Sequence, residues 1–180
     1  MTVQTPPIVR PCFAQDLEAA RLLVNHHALT GYTWLEEEEQ SLADMQALWS
    51  WVVGLQLPFL VASPLSDISR VLGVGYALPG LFAAAALRGG PELRVAVLPT
   101  MQGRGVGRTL LHSLIEDLRG PEPRTVFAAY GVTNPSPPLK LLNHFDFSPP
   151  LRLEQAARKF ERTFDAAVSF KHLTPSSATP

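Results

Sequence analysis

Gln102-Gly-Arg-Gly-Val-Gly-Arg108 is the stretch whose residue types and spacing can do chemistry. Glycines at 103, 105 and 107 let the chain turn tightly and leave its amides unshielded by side chains. Val106, Leu110, Leu111, Leu114, Ile115 and Leu118 then recur at helical spacing, so the loop opens directly into a helix. The first turn of a helix carries N–H groups without partners, and its dipole favours negative charge. Loop and helix together form a socket for a phosphate or diphosphate, to which Arg104 and Arg108 add positive charge. The glycine spacing does not match a GxGxxG box, and no Gly-Lys-Ser/Thr is present, so dinucleotide and nucleoside-triphosphate loops do not fit.

Upstream, Leu93, Val95 and Val97 alternate as in a strand with one buried face, and Pro99 ends it because it offers no N–H. Glu92 stands at the start of that strand, where by itself it reads as an exposed turn carboxylate. His26 and His27 fall on the first helix and either line a pocket or sit on its flank, while His112 falls on the polar side of the glycine-fed helix. No spacing of histidine, cysteine or carboxylate points to a metal.

The elements that must hold these groups belong to one globular domain: 180 residues, 46% apolar and 17% charged. A net charge of −1 with no basic block gives no footprint for nucleic acid. Cys12, the single cysteine, cannot form an internal disulfide, which fits a reducing cytoplasm, and reads as a small buried apolar residue. The N-terminus has neither the basic start nor the apolar core of a secretion signal. The most apolar stretch, Leu48 to Ala62, carries Gln56 and Pro58 and falls short of the ~20 residues a bilayer crossing needs. Residues 1–6 and 174–180 read as disordered ends around a domain spanning 7–173.

Ile8–Phe13 reads as a first strand, with Pro11 placing it at an edge. A helix with Leu17, Ala20, Leu23, Val24 and Ala28 on one face ends near Gly31. The run Glu36–Glu39 is a solvated loop, or a feature that attracts a cationic substrate. Ser41-Leu-Ala-Asp44 is a capping box opening a second helix with Leu42, Met45, Leu48, Trp49, Val52 and Val53 inward. Trp49 and Trp51 cannot share a face, so one is a core residue and the other lines a pocket or a subunit contact. Pro58–Ala62 and Arg70–Ala77 pair as a hairpin, in which Gly73 and Gly75 imply close approach of a backbone or ligand. Leu81–Leu87 is apolar and is broken by Gly89-Gly90-Pro91. Thr125–Tyr130 is a further strand and Leu139–Phe145 a short helix. Glu154–Lys159 alone has helical propensity.

Taken together, Val95-x-Val97-x-Pro99 and Gln102-Gly-Arg-Gly-Val-Gly107 resemble the acyl-CoA loop of the Gcn5-related N-acetyltransferases (GNAT). That signature, Gln/Arg-x-x-Gly-x-Gly/Ala after a Val-x-Val strand, is carried here by Gln102, Gly105 and Gly107. The resemblance runs from Ile8 to His172. It looks most like the phosphinothricin acetyltransferase branch, through Val24-Asn-His-His27, Pro58-Phe-Leu-Val-Ala62, Glu92 and Gly131-Val-Thr-Asn134.

The resemblance implies an α/β (α+β) fold: a mixed, mostly antiparallel twisted sheet flanked by helices, with a splayed central strand pair for acyl-CoA. The tail from Leu151 to Leu173 then supplies two final strands, against the helical propensity of Glu154–Lys159. It implies a cytoplasmic enzyme, homodimeric, transferring acetyl from acetyl-CoA to a primary amine of a small molecule such as an amino acid or an analogue, without a metal. Val95, Ala96 and Val97 would hold the pantetheine, Gln102, Gly103, Arg104, Gly105, Val106, Gly107 and Arg108 the diphosphate, and Asn134 would touch the cofactor through its side chain. Glu92 is the position-matched base. The family's tyrosine acid is missing, since Phe145 and Phe147 stand in its region, leaving Tyr130 and His144 by proximity. The connection 81–90 lacks the branch's aromatic and basic residues, and the tail around Thr163-Phe164 lacks its tryptophan. Those departures keep open a non-catalytic CoA-binding or regulatory module, and more remotely a nucleotide-binding protein.

Overall fold

The computed structural model describes residues 6–80, 90–121 and 124–175. The expectations for the first five residues, for Leu81–Leu87 and for the last five residues lie outside the described residues. Seven strands, β1 (Ile8–Pro11), β2 (Phe59–Ser63), β3 (Gly73–Leu78), β4 (Glu92–Val97), β5 (Arg124–Gly131), β6 (Leu151–Lys159) and β7 (Arg162–Leu173), form one sheet ordered β1-β2-β3-β4-β5-β7-β6. Every neighbouring pair is antiparallel except β4 and β5. The edge position of Pro11, the hairpin of β2 and β3 and the two closing strands all appear. In β6 and β7 the pairing of Leu151–Leu153 and Ala157–Lys159 with one partner overrides the helical propensity of Glu154–Lys159.

Helices α1 (Leu17–Thr30) and α2 (Leu42–Gly54) cover one face of β1–β4, and α3 (Val106–Asp117) with α4 (Pro137–His144) covers the other. Ser41 and Asp44 cap α2 reciprocally. Met45 and Val52 are its fully buried positions, with Leu48 and Trp49 half-buried; Leu42 and Val53, expected inward, are exposed. The stripe that meets the sheet is therefore narrower than the apolar pattern. Trp49 joins that core and donates to the Cys12 carbonyl, and Trp51 is exposed, so neither indole enters the main cleft.

Helix α3 matches its pattern in full: Val106, Leu110, Leu111, Leu114 and Ile115 are buried, and Leu118 closes the stripe. Each such side chain contributes about 1.5–3 kcal/mol relative to exposure. The glycines of β3 make this seat possible. A Cβ on Gly73 would lie 2.9 Å from Leu110 Cδ1, and one on Gly75 would lie 3.0 Å from Leu114 Cδ1. What approaches those glycines is thus helix α3, which carries the loop of interest against the middle of the sheet.

Candidate active site

The parallel pair β4 and β5 touches at one end only, with Glu92 opposite Phe127 and the Phe127 amide on the Pro91 carbonyl at 3.0 Å. Beyond that point the strands diverge. The Leu98 amide donates to Leu72 O beside β3, so by alternation residues 93, 95 and 97 aim their peptide groups at the gap. The Val97 carbonyl accepts from His27 Nε2 at 2.9 Å. On the opposite bank the Gly131 amide is taken by Thr33 O at 3.0 Å. The segment Tyr32–Trp34 therefore stands between the far ends of the two strands.

The gap widens into a cleft of about 720 Å³, floored by Leu93, Val95 and Val97 and entered past Gln102, Gly103, Gly105, Gly107 and Arg108. Gly103 and Gly105 have φ of 72° and 87°, in the left-handed region that a glycine adopts without strain. Gly105 caps α3 without a side-chain partner. The first helical amide with a carbonyl partner is that of Thr109, which bonds Gly105 O at 3.0 Å. Among the described residues, the amides of Gly103, Gly105, Val106, Gly107 and Arg108 have no hydrogen-bond partner. Five unshielded donors at a helix N-terminus, next to exposed Arg104 and Arg108, make a fitting cradle for a diphosphate. A polar chain lying along residues 93–97 would meet the peptide edge that β5 leaves unpaired.

The residues singled out from sequence divide here. Val95, Val97, Gln102, Gly103, Gly105, Gly107, Arg108 and Tyr130 line the cleft. Val106 is buried and offers its amide alone, while Arg104 is exposed outside the lining. Ala96 is fully buried beneath α1, paired with Val74, because an even position in β4 turns toward β3 and the α1 face. Asn134 is exposed in the turn after β5 and is not itself among the lining residues, which resume at Pro137. Tyr130 is 4% exposed, with its hydroxyl 3.4 Å from Ser169 Oγ on β7. His144 reaches the cleft wall from the end of α4.

Glu92 is 4% exposed and lies one layer behind the wall. Its Oε1 is 2.5 Å from Arg94 Nε, a charge pair whose angle is not that of a hydrogen bond. Arg94 lines the cleft, bonds Glu36 Oε2 at 2.8 Å and stacks over the Trp34 ring at 5.4 Å. Burial pushes the Glu92 carboxyl above its ordinary pKa, with Arg94 pulling the other way. Burial likewise works against charge on Arg94, but Glu92 and Glu36 outweigh it and raise its pKa. His27 stacks on the other side of the site against Trp34, with centroids 6.2 Å apart, and burial lowers its pKa. Since Val97 O only accepts, Nε2 carries the proton and the neutral ring keeps its lone pair on Nδ1.

Sequence reasoning missed two of these groups. Arg94 is one residue in an apolar strand; its one signal was a charge at alternate spacing from Glu92. Lys159 is fully buried at the end of β6 and donates to the Trp34 carbonyl at 2.8 Å, while the Phe160 amide bonds Glu37 Oε2. The β6–β7 tip thus pins the loop that carries Trp34 and Glu36. Of the four glutamates, Glu36 and Glu39 are salt-bridged to arginines and Glu37 takes that amide, so the run is largely structural.

Comparison with known proteins adds the chemistry. Residues 26–136 match the model of the acetyltransferase (GNAT) family. The chain is 30% identical over 171 residues to a phosphinothricin N-acetyltransferase of Alcaligenes faecalis, covering 95% of this chain and 85% of that protein. It is 34% identical over 171 residues to an N-acetyltransferase of Streptomyces griseus, covering 93% and 87%. A phosphinothricin acetyltransferase from Sinorhizobium meliloti, solved in complex with acetyl-CoA, superposes with a TM-score of 0.83 at 25% identity, over 98% of this chain and 93% of that one. An N-acetyltransferase from Staphylococcus aureus Mu50 shares the fold with a TM-score of 0.82 at 20% identity, covering 94% and 100%. These matches favour an enzyme over a CoA-binding module without activity. With free amides where a CoA diphosphate needs donors and an open strand edge beside them, the chain belongs to the GNAT acetyltransferase family and is an acyl-CoA-dependent N-acetyltransferase that uses acetyl-CoA.

Proposed function

We propose that this enzyme acetylates the primary amine of a small molecule, an amino acid or an analogue of one. The observation that carries the reading is the union of the free amides at 103 and 105–108 with a cleft wall leading to Glu92 through Arg94. The relatives named for phosphinothricin support a small acceptor. So does the inserted segment Tyr32–Trp34, which occupies the far end of the strand gap.

Gly103 and Gly105 to Arg108 hold the diphosphate by their main-chain donors, and the open edge of Val95 with the Val97 amide pairs with the pantetheine arm. The bound co-substrate supplies the activated acetyl thioester. Attack requires a neutral amine, so a carboxylate must take the ammonium proton. Glu92 does this through an intervening water, because it lies behind the wall rather than in it. Its raised pKa makes it a better acceptor near neutral pH, while Arg94 keeps the carboxylate form accessible. Tyr130 holds a proton for the departing thiolate, with Ser169 setting the direction of the hydroxyl. The enzyme works as a homodimer in the cytoplasm, its domain spanning 7–173. Exposed Leu151, Leu153 and Phe170 supply apolar surface for that contact.

The test is turnover with acetyl-CoA across free amino acids, amino-acid analogues and polyamines, for the wild type, Glu92→Gln and Tyr130→Phe. At least one amino acid or analogue should be acetylated, and Glu92→Gln should lower kcat by about 10²–10⁴-fold. Turnover of polyamines alone would overturn the acceptor class, and an unimpaired Glu92→Gln enzyme would overturn the base.

A further inference from the structure

We propose that Arg94 is a positioning residue for Glu92, and that Glu36, reaching across from the loop between α1 and α2, divides the Arg94 charge and thereby tunes the base. The inference rests on Glu92 accepting the ammonium proton and adds how that proton is regulated.

Three carboxylate and guanidinium groups form one chain: Glu92 Oε1 to Arg94 Nε at 2.5 Å, then Arg94 Nη1 to Glu36 Oε2 at 2.8 Å. Arg94 and Glu92 stand two apart in β4, so they share a face of the sheet and keep that separation as long as the strand holds. The guanidinium plane rests over Trp34, which fixes its height above the sheet. Trp34 and Glu36 are themselves tied down from β6, where Lys159 donates to the Trp34 carbonyl and the Phe160 amide holds Glu37. A guanidinium set between two carboxylates cannot fully neutralise both. What Glu36 draws from Arg94 is withheld from Glu92, and Glu36 adds its own repulsion.

Among the described residues, the titratable groups around Glu92 are Arg94 on its own strand, Glu36 from the α1–α2 loop and Tyr76 on β3, with Lys159 facing Glu36 from β6. Burial pushes the Tyr76 hydroxyl well above its ordinary range, so it stays protonated throughout an assay between pH 6 and 10 and contributes no charge change.

The two partners should therefore act with opposite sign. The experiment is kcat/KM against pH for the wild type, Arg94→Met, Arg94→Lys, Glu36→Gln and Glu92→Gln, with one acceptor amine throughout so that its own titration cancels. Arg94→Met removes the attraction that keeps Glu92 ionised, and the acid limb should move up by about one pH unit or more. Glu36→Gln frees Arg94 for Glu92 and removes a like charge, and the same limb should move down. Arg94→Lys keeps the charge without the planar fork and should fall between the wild type and Arg94→Met. A uniform loss of rate with the limb unmoved in Arg94→Met and Glu36→Gln would mean that Arg94 merely braces the fold, and would overturn the proposal. Should Arg94→Met fail to fold, as read by circular dichroism, Glu36→Gln decides, because its side chain is 44% exposed; a limb that stays put or rises refutes the idea. If Glu92→Gln keeps both the wild-type rate and the wild-type limb, the base assignment itself falls. That outcome is distinct from a Glu92→Gln enzyme that loses the limb while the partner variants leave it unmoved.

Discussion

Gly107→Ala should raise the stability of this enzyme and leave its hold on acetyl-CoA close to that of the wild type. Gly107 is the second residue of α3, and its φ lies outside the left-handed region. A Cβ there would make ordinary contacts, 3.5 Å to Val97 Cγ2 and 3.6 Å to Leu141 Cδ2. The fold therefore makes no demand for glycine at this site. Alanine restricts the unfolded chain and suits a helix, a gain of about 0.5–1 kcal/mol. For a chain of this length that gain raises Tm by about 1–4 °C. The same methyl is directed toward Val97 and Leu141, and 107 is the position at which the loop signature accepts either glycine or alanine, so the unpartnered amides keep their access to a phosphate. Losing one charge-assisted hydrogen bond would cost about 1.5–3 kcal/mol, which is roughly tenfold to a hundredfold in Kd. Thermal unfolding without ligand and calorimetric titration with acetyl-CoA read the two effects separately. A variant that is stabilised but binds acetyl-CoA tenfold or more weakly would refute the reading that main-chain donors, which the methyl leaves in place, hold the diphosphate.

Gly105→Ala should behave differently: its φ of 87° strains any side chain although nothing crowds a Cβ, so stability should fall by about 1–2 kcal/mol in chemical denaturation. Arg104→Ala and Arg108→Ala should each weaken acetyl-CoA by about 0.2–1 kcal/mol, with the double variant showing a flatter dependence of Kd on salt; salt-independent binding by the wild type would refute their electrostatic role. His27 has a pKa lowered in the fold, so the unfolded chain binds more protons and stability is lost as pH falls through about 6.5. His27→Gln should flatten that slope in Tm against pH while retaining a donor for Val97 O. Lys159→Met leaves the Trp34 carbonyl without its partner and should cost about 1–3 kcal/mol, with kcat/KM reduced more than acetyl-CoA affinity; unchanged stability would mean the loop is held by other contacts.

The strand, loop and helix from Glu92 to Leu118 were legible because every level of their pattern agrees: alternation, proline stop, glycines, helical stripe. The topology was legible through resemblance more than through periodicity, since Glu154–Lys159 has helical propensity and becomes a strand only by pairing with β7. Arg94 and Lys159 were not legible, because a buried charge announces itself by its partners, and those come from segments 58 and 125 residues away in sequence. The Val-x-Val resemblance groups Ala96 with its neighbours; alternation separates it, since the residue between the two valines must turn the other way. The sequence leaves His27 between pocket and flank, because a histidine's burial depends on which strand the helix meets.

The geometry of the strand gap has a cause at each end. Next to β4, Gly90 lies so close to Thr125 that a Cβ would overlap the Thr125 carbonyl, which draws the two parallel strands together near Glu92 and Phe127. At the far end Gly131 also lacks room for a Cβ, but what fills the space is the Tyr32 carbonyl, with Thr33 accepting the Gly131 amide. One glycine lets the neighbouring strand close in, and the other admits a loop from elsewhere in the chain as a wedge. Because the wedge is the same segment that presents Trp34 and Glu36 to Arg94, opening the strand edge for the co-substrate and arranging the charges around Glu92 are one structural event. A change to the Tyr32–Glu36 loop should therefore disturb cofactor grip and proton transfer together, whereas a change that removes a donor at 103 or 105–108 should disturb the first alone.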